Sequence, residues 1–364
     1  MDFTNGAPGS SRCYDHLLNF RILVLVQIPL AAILQHKLRT ISRKIQKNSK
    51  HAPQNKPKPN INTLPQETNN LDKKFTPAKE WEPLSNNELN VIKQLRIWLT
   101  PNVFKNVPHD VLVTFVRGFA YRQDWQEASY VFLDRALKWR SQTNADQLAL
   151  CAPDNCDLFD EICPAGPIGF DTEGHPVLLE RLGAVNASRL LKHFSEEEYI
   201  VQQCYRREAF RLYSTANSER RNRRLYKCTV VIDLSGLGSS HMSRRMLGLV
   251  QSVNALFAWV YPESVHKFYI VNAPWIFRSA WRIVRPWLHP ITEAKFNILG
   301  RDWRDVFAAD GIHLESGNIP TDPPRWKCEM KKLFAHREPA DLVRGYLPVE
   351  DKFRVQSLVN SESR

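Results

Sequence analysis

The chain has 364 residues, 43% of them hydrophobic and 24% charged, with a formal charge of +12. That composition is globular, and the length suits about two domains with a sizeable core. Nine lysines and arginines lie between His16 and Gln66, a stretch without a single acid, so the rest of the chain carries only +3. A basic nucleic-acid-binding body is therefore excluded, and the basic character belongs to an N-terminal tail. Seven cysteines, an odd number, argue for free thiols rather than a disulfide framework. Cys151, Cys156 and Cys163 lack the paired short spacings of a zinc site.

Leu17 to Leu34 is the most apolar stretch, broken by Asn19, Arg21, Gln27 and Pro29. It is marginal as a spanning helix. Asp2 and Asp15 precede it, against a secretory signal. Two readings stay open: an extension or targeting leader, and an interfacial membrane anchor with a basic flank. Residues 1–50 are thus an apolar and basic N-terminal segment. Residues 51–84, rich in Pro, Asn, Gln and Lys, read as a linker.

Helices follow over 85–150. Ser85 and Glu88 have capping-box spacing ahead of Leu89, Ile92, Leu95 and Leu99. Asp110 precedes the stripe Leu112, Phe115, Val116 and Phe119. Asp124 with Glu127 opens a third helix carrying Trp125, Ala128, Phe132 and Trp139. From 151 to 326 the pattern turns α/β. A turn at Asp171 to Pro176 leads into a strand from Val177 to Leu182. Ser195 and Glu198 cap a helix reaching about Ser214. CTVVIDL from Cys228 to Leu234 is a continuous apolar strand, as a buried sheet requires. Met246, Val250, Val253, Phe257 and Val260 mark another helix. Lys267–Val271 and Lys295–Leu299 are further strands, with a helix near Phe277 to Val284 between them. The order predicts a mostly parallel sheet. Residues 327–364 read as a charged tail with room for one more helix and nothing that suggests chemistry.

Enzyme signatures fail one by one. After Leu234 the chain offers Gly236 and Gly238 but His241 where a dinucleotide fingerprint needs its third glycine. It has no phosphate-binding G-x-x-x-x-G-K loop and no G-x-S-x-G elbow. Asp233, at a strand end with no second acid nearby, reads as the organiser of its turn. The stretch WIFRSAWRIVRPWLHP is apolar nearly all round with Arg278, Arg282 and Arg285 interspersed. Such a helix is either buried or meets lipid part of the time.

Tyr261 to Gly300 contains YPE, KFYIVNAP, RPWL, T-x-x-K and ILG in order. Together with GHPVLLERLGAVN and VVIDLSGL upstream, this resembles the CRAL-TRIO lipid-transfer family, specifically its phosphatidylinositol-transfer type. The resemblance covers roughly Asn86 to Asn318. It implies a helical lobe followed by an α/β domain whose sheet floors an apolar pocket closed by a gate helix. Phe277, Trp281, Val284, Trp287 and Leu288 would belong to that gate and pocket. Glu263 would accept inositol hydroxyls, and Thr292 and Lys295 would hold the phosphate. Pro290 ahead of the T-x-x-K turn agrees, because that spacing places hydroxyl and ammonium on one face.

The departures are specific. Phe115-Val-Arg-Gly-Phe119 stands where the family carries F-L-R-A-R, so Arg122 is the candidate for the missing headgroup arginine. Cys228 and Val230 stand where hydroxyl side chains serve a phosphatidylcholine head. Only Gly317 remains of the L-P-x-x-x-G-G pattern. The resemblance thus implies a non-enzymatic carrier of phosphatidylinositol, without cofactor or metal, working in the cytoplasm at a membrane surface. It admits a lipid kinase as partner. A carrier of a sterol or tocopherol-like lipid is the alternative, and an α/β lipid hydrolase the alternative from another class.

Overall fold

The computed structural model describes residues 77–99, 107–143, 145–148, 150–285, 290–314 and 316–335. The apolar stretch from Leu17 to Leu34, its basic flank, Trp287 and Leu288 lie outside the described residues. Among the described residues no helix is long and apolar enough to cross a membrane.

Three helices come first: α1 (Asn86–Leu99), α2 (His109–Gly118) and α3 (Trp125–Thr143). The apolar stripes become their shared core. Val91, Ile92, Leu95, Leu99, Leu112, Phe115, Val116 and Leu133 are all buried there. Each such side chain contributes roughly 1.5–3 kcal/mol by leaving water. The capping box opens α1 as the spacing predicts: Ser85 N donates to Glu88 Oε2 (2.7 Å) and Glu88 N to Ser85 Oγ (3.3 Å). Two short helices follow, α4 (Ala145–Leu148) and α5 (Cys156–Ile162).

The rest of the chain is α/β. In order come β1 (Ala165–Phe170), β2 (Pro176–Glu180), α6 (Ala187–His193), α7 (Glu196–Arg220), β3 (Cys228–Asp233), α8 (Arg244–Val260) and β4 (Val265–Val271). Then follow α9 (Trp275–Val284), α10 (Pro290–Glu293), β5 (Phe296–Ile298), α11 (Arg304–Ala309) and α12 (Trp326–Phe334). The sheet runs β1-β2-β3-β4-β5, with β2 to β5 parallel and β1 antiparallel at one edge. Strand alternation sends β3 side chains two ways. Cys228, Val230 and Ile232 meet α7 and α9, while Val231 packs with Tyr269, Trp303 and Phe307 on the opposite face.

The helical lobe docks on α8, whose Trp259 and Val260 join its core. A buried ionic knot ties α3 to α7. Both Arg140 nitrogens donate to Glu208 (2.7 and 3.1 Å), which also accepts from Arg211 and from the Tyr261 hydroxyl. Burial alone would raise the Glu208 carboxyl, yet the charges of Arg140 and Arg211 bring it down to about 2. Asp233 organises its turn, its Oδ1 accepting from Ser235 N (3.0 Å) and Asn272 Nδ2 (2.8 Å).

Composition assigns 51–84 to a linker, but residues 79–83 are bolted to the fold. Arg117 donates to the carbonyls of Lys79, Glu80, Glu82 and Pro83, and Arg224 to those of Glu80 and Glu82. The physical reason is Glu80, whose carboxylate takes the backbone N–H of Tyr226 and of Lys227. The charged tail does open with a helix, α12, whose fully buried first residue Trp326 lies against Phe210 and Tyr213 of α7.

Candidate functional site

β3 and β4 run parallel with Cys228 paired to Val265, so the residues just before each strand are neighbours. They are Lys227 and the turn Pro262-Glu263-Ser264. Gly118, at the end of α2, lies against that turn: a Cβ there would come within 2.9 Å of Pro262 Cβ. Glu263 itself has a left-handed backbone, φ +54°, a conformation that costs a non-glycine residue about 1 kcal/mol or more. Its side chain is what gains from this geometry. Lys227 Nζ donates to one carboxylate oxygen, and Lys295 Nζ to the other at 3.3 Å. Burial would raise the Glu263 carboxyl, but Lys295 and then Lys227 outweigh it and hold the group below its ordinary value. At neutral pH the cluster is one carboxylate between two ammonium groups, a surplus of one positive charge in a partly enclosed place.

Thr292 and Lys295 arrive together. Lys295 N donates to Thr292 O (3.1 Å), closing the turn the T-x-x-K spacing implies, and Lys295 O accepts from Phe268 N (2.7 Å). Lys295 is therefore fixed to the start of β5 beside β4. Arg122 does not join them. It forks onto Asp124 with two 2.7 Å bonds, because that carboxylate two residues on meets both guanidinium nitrogens locally. Phe119 does not join them either, being buried in a stack on Phe132. Lys227 was not read from the sequence as a site residue. Its signal is positional: it immediately precedes the apolar strand, and only the strand register reveals its neighbour.

The apolar face beside this cluster is only partly sealed. Phe277 and Trp281 of α9 are buried against it, one helical turn apart. Beneath them Phe268 and Phe296 stack at 4.5 Å, and Trp281 leans on Phe296 at 5.2 Å. Phe268, Phe296, Ile298, Tyr213, Leu333 and Phe334 stay half-buried around that core. Val284 is the last residue of α9. The arginines that the sequence reading took as interspersed fall on one exposed stripe. Trp275, 71% exposed, leads Arg278, Arg282 and Arg285 along it, spaced three, four and three residues apart. The helix is amphipathic, with its inner face on the sheet. Cys228 and Val230 lie buried on the same face, and burial pushes the Cys228 thiol up to about 11.

A second polar cluster sits on the other side of β3. His175 bonds Asp171 through Nδ1 (3.1 Å) and Glu80 through Nε2 (2.5 Å). His266 stacks on it at 4.0 Å and contacts Glu173 at 3.2 Å. Burial would lower His175, but the hydrogen bonds to Asp171 and Glu80 prevail and raise it to about 9. His266 is driven down to about 4 by burial and by the charge on His175. Asp171, His175 and His266 bring potential metal-ligand atoms within 4.8 Å of one another. Both nitrogens of His175 are already committed to carboxylates, so this cluster works as a clasp between the residue 80 segment and the sheet. Cys156 and Cys163 are buried and Cys151 is exposed, all three as free thiols.

Residues 163–310 match the CRAL/TRIO domain model. The chain is 29% identical over 194 residues to the SEC14 cytosolic factor of Kluyveromyces lactis, covering 52% of this chain and 64% of that protein. It is 26% identical over 223 residues to the phosphatidylinositol/phosphatidylcholine transfer protein SFH12 of Arabidopsis thaliana, covering 60% of this chain and 40% of that protein. The chain thus spans less than two thirds of the length of these relatives. The crystal structure of Sfh5 aligns over 70% of this chain and all of its own, with a TM-score of 0.47 and 16% identity.

Proposed function

We propose that this chain, whose residues 163–310 match the CRAL/TRIO domain model, binds phosphatidylinositol and transfers or presents it between membranes without catalysing a reaction. The observation that carries the reading is the Lys227–Glu263–Lys295 cluster beside a half-sealed apolar sheet face. A diacyl lipid needs apolar walls for its chains and a few polar groups for its head. The ionised Glu263 accepts inositol hydroxyls. The surplus ammonium charge of Lys295 and Lys227 balances a phosphodiester, and Thr292, in the turn that leads into Lys295, adds a hydroxyl donor. Phe277 and Trp281 close the pocket, and displacing α9 opens it. The exposed Trp275–Arg285 stripe suits contact with an anionic membrane, since tryptophan and arginine favour the interface. A lipid kinase is the natural consumer of a presented inositol head.

Phosphatidylcholine is the weaker cargo in this reading. Buried Cys228 and Val230 supply no hydroxyl to a choline lipid's phosphate. Transfer of the two lipids between vesicles, with mass spectrometry of co-purified lipid, tests this. Phosphatidylinositol transfer should exceed phosphatidylcholine transfer at least tenfold. Equal rates, or a co-purified sterol in place of phospholipid, would overturn the assignment.

A further inference from the structure

The turn between β1 and β2 meets β4 on the side of β3 away from the apolar pocket, and the meeting gathers nitrogen and oxygen atoms of four side chains. Asp171, Glu173 and His175 belong to one tight turn, closed by Asp171 N donating to His175 O (3.0 Å) and Gly174 N to Asp171 O (3.0 Å). His266 arrives by an irregularity in β4. Cys228 pairs with Val265 and Thr229 with Lys267, so His266 is left between the two pairs without a partner in β3. Strand alternation would send it to the side of Phe268, which packs on the apolar core. The bulge turns it to the opposite side, where it stacks on His175 at 4.0 Å. Bulges re-aim side chains in this way beside functional sites.

The spacing of these groups is that of ligands around an ion. Atoms about 2.0–2.1 Å from a tetrahedral metal stand about 3.3 Å from one another. Asp171 Oδ2 and His175 Nδ1 are 3.1 Å apart, Glu173 Oε2 and His266 Nε2 3.2 Å, and Glu173 Oε2 and His175 Nδ1 3.9 Å. Asp171, His175 and His266 offer atoms that all lie within 4.8 Å of one another. His266 and Glu173 are half-buried, so their side chains are free to close the set by turning, His266 out of its stack, while buried Asp171 and His175 stay fixed. The fixed pair is aimed from behind. His175 Nε2 bonds Glu80 Oε2 (2.5 Å), Thr229 Oγ1 donates to Asp171 Oδ2 (2.8 Å), and His175 N donates to Asp171 Oδ1 (2.8 Å). An imidazole held by a carboxylate through its far nitrogen is the arrangement that orients histidines toward metals. Charge agrees. With His175 as a neutral ligand, Glu80, Asp171 and Glu173 carry three negative charges against the ammonium of Lys79, 3.6 Å from Glu173. The two that remain match a divalent cation.

We infer that Asp171, Glu173, His175 and His266 form a binding site for a divalent transition-metal ion of the zinc class. Two imidazoles with two carboxylates suit zinc better than magnesium or calcium, which prefer oxygen ligands alone. The ion replaces the hydrogen bond between His175 Nδ1 and Asp171 Oδ2, and the proton of that bond leaves to solvent. The metal thus keeps the contact between the turn and the residue 80 segment and adds β4 to it. Four protein ligands make such a site structural rather than catalytic. It shares no residue with the Glu263 cluster and does not depend on the phosphatidylinositol reading.

The test is zinc titration of the full chain after chelator treatment, read by calorimetry and by melting temperature. One equivalent should bind, and the melting temperature should rise saturably, with no rise in equal magnesium. His266→Gln should weaken zinc binding at least roughly tenfold, since even a residue that only orients a ligand is worth that much. Glu173→Gln should weaken it as well, and keeps the test decisive if His266→Gln does not fold. The free thiols of the chain are the competing zinc ligands. Cobalt(II) separates the two: on nitrogen and oxygen it shows its visible bands without the near-ultraviolet sulfur-to-metal absorption that thiolates give. A thiolate absorption from the first equivalent of cobalt, zinc affinity unchanged in both variants, or a magnesium response equal to that of zinc would overturn the inference.

Discussion

Two clusters of buried acids and cations flank the same strand, and they are built to opposite ends. At Glu80, His175 and Asp171 one imidazolium faces two carboxylates, and Glu80 also takes two backbone N–H groups. His175 is fully buried and Glu80 is 2% exposed. At Glu263 two ammonium groups face one carboxylate, and the Lys295 side chain is still 22% exposed. The first cluster uses up its donors and excludes solvent, so it holds structure. The second keeps surplus charge within reach of solvent, so it is fit to bind. Burial and ion pairing alone do not separate these roles, since each cluster carries one uncancelled charge; the surplus carboxylate is filled by hydrogen-bond donors, whereas the surplus ammonium stays within reach of solvent.

The largest effect should come from breaking the clasp. Glu80→Ala leaves His175 short of a partner and frees two backbone donors. Removing one member of a buried pair costs roughly 3–5 kcal/mol, or on the order of 10 °C in melting temperature for a domain of this size. Calorimetry should find that loss, with lipid transfer per folded molecule unchanged. Transfer lost at unchanged stability would reverse the roles of the two clusters.

The pH dependence of stability sharpens the same contrast. His175 rises from 6.5 to about 9 on folding. Its contribution is therefore complete below pH 6.5 and is lost as pH climbs through about 9. Asp171 falls from 3.8 to about 2, burial opposing and the His175 and Thr229 hydrogen bonds prevailing. Its contribution is complete above pH 3.8 and disappears as pH falls through about 2. Melting of wild type against His175→Gln between pH 7 and 10 should show the wild-type advantage shrinking with pH. A constant difference would mean that His175 is not held protonated.

At the rim, Lys227→Ala should weaken phosphatidylinositol binding roughly tenfold while shifting the melting temperature by only a few degrees, because Glu263 keeps Lys295. Binding measured with labelled lipid checks it, and wild-type affinity would leave Lys227 a structural partner of Glu263 alone. The smallest effect belongs to the N-terminal segment. Deleting residues 1–60 should lower sedimentation with anionic vesicles and leave lipid binding intact. Equal sedimentation would remove the segment from membrane recruitment.

Most of the fold was legible because its elements carry periodic apolar residues. Most stripe residues of α1, α2 and α8, and the runs of β2, β3 and the end of β4, are core in the structure, with Trp125, Phe132 and Trp139 of α3 and Phe296 and Ile298 of β5 half-buried against it. What escaped lacks that signal. β1 reads AGPIGF, with Pro167 and with Gly169 at φ +131°, and pairs through an irregular register at the sheet edge. The last turns of α7, after Ser214, bury polar side chains instead: Asn217 Nδ2 donates to Gly174 O (2.6 Å) and Ser218 Oγ to Arg223 O (2.7 Å). Residues 79–83 look like linker because their anchors, Arg117 and Arg224, are more than thirty residues away. At the candidate site, Glu263 and Lys295, to which the family resemblance gave roles at one headgroup, meet, whereas Arg122 was claimed by a neighbour and Lys227 came into view only through the register of β3 on β4.

The central claim, that the rim ammonium charge holds a lipid phosphate, is tested most directly by Lys295→Ala. Transfer of phosphatidylinositol between vesicles should fall roughly ten- to a hundredfold, the worth of one charge-assisted hydrogen bond, with the melting temperature nearly unchanged. Wild-type phosphatidylinositol transfer by a Lys295→Ala protein of wild-type stability would contradict it.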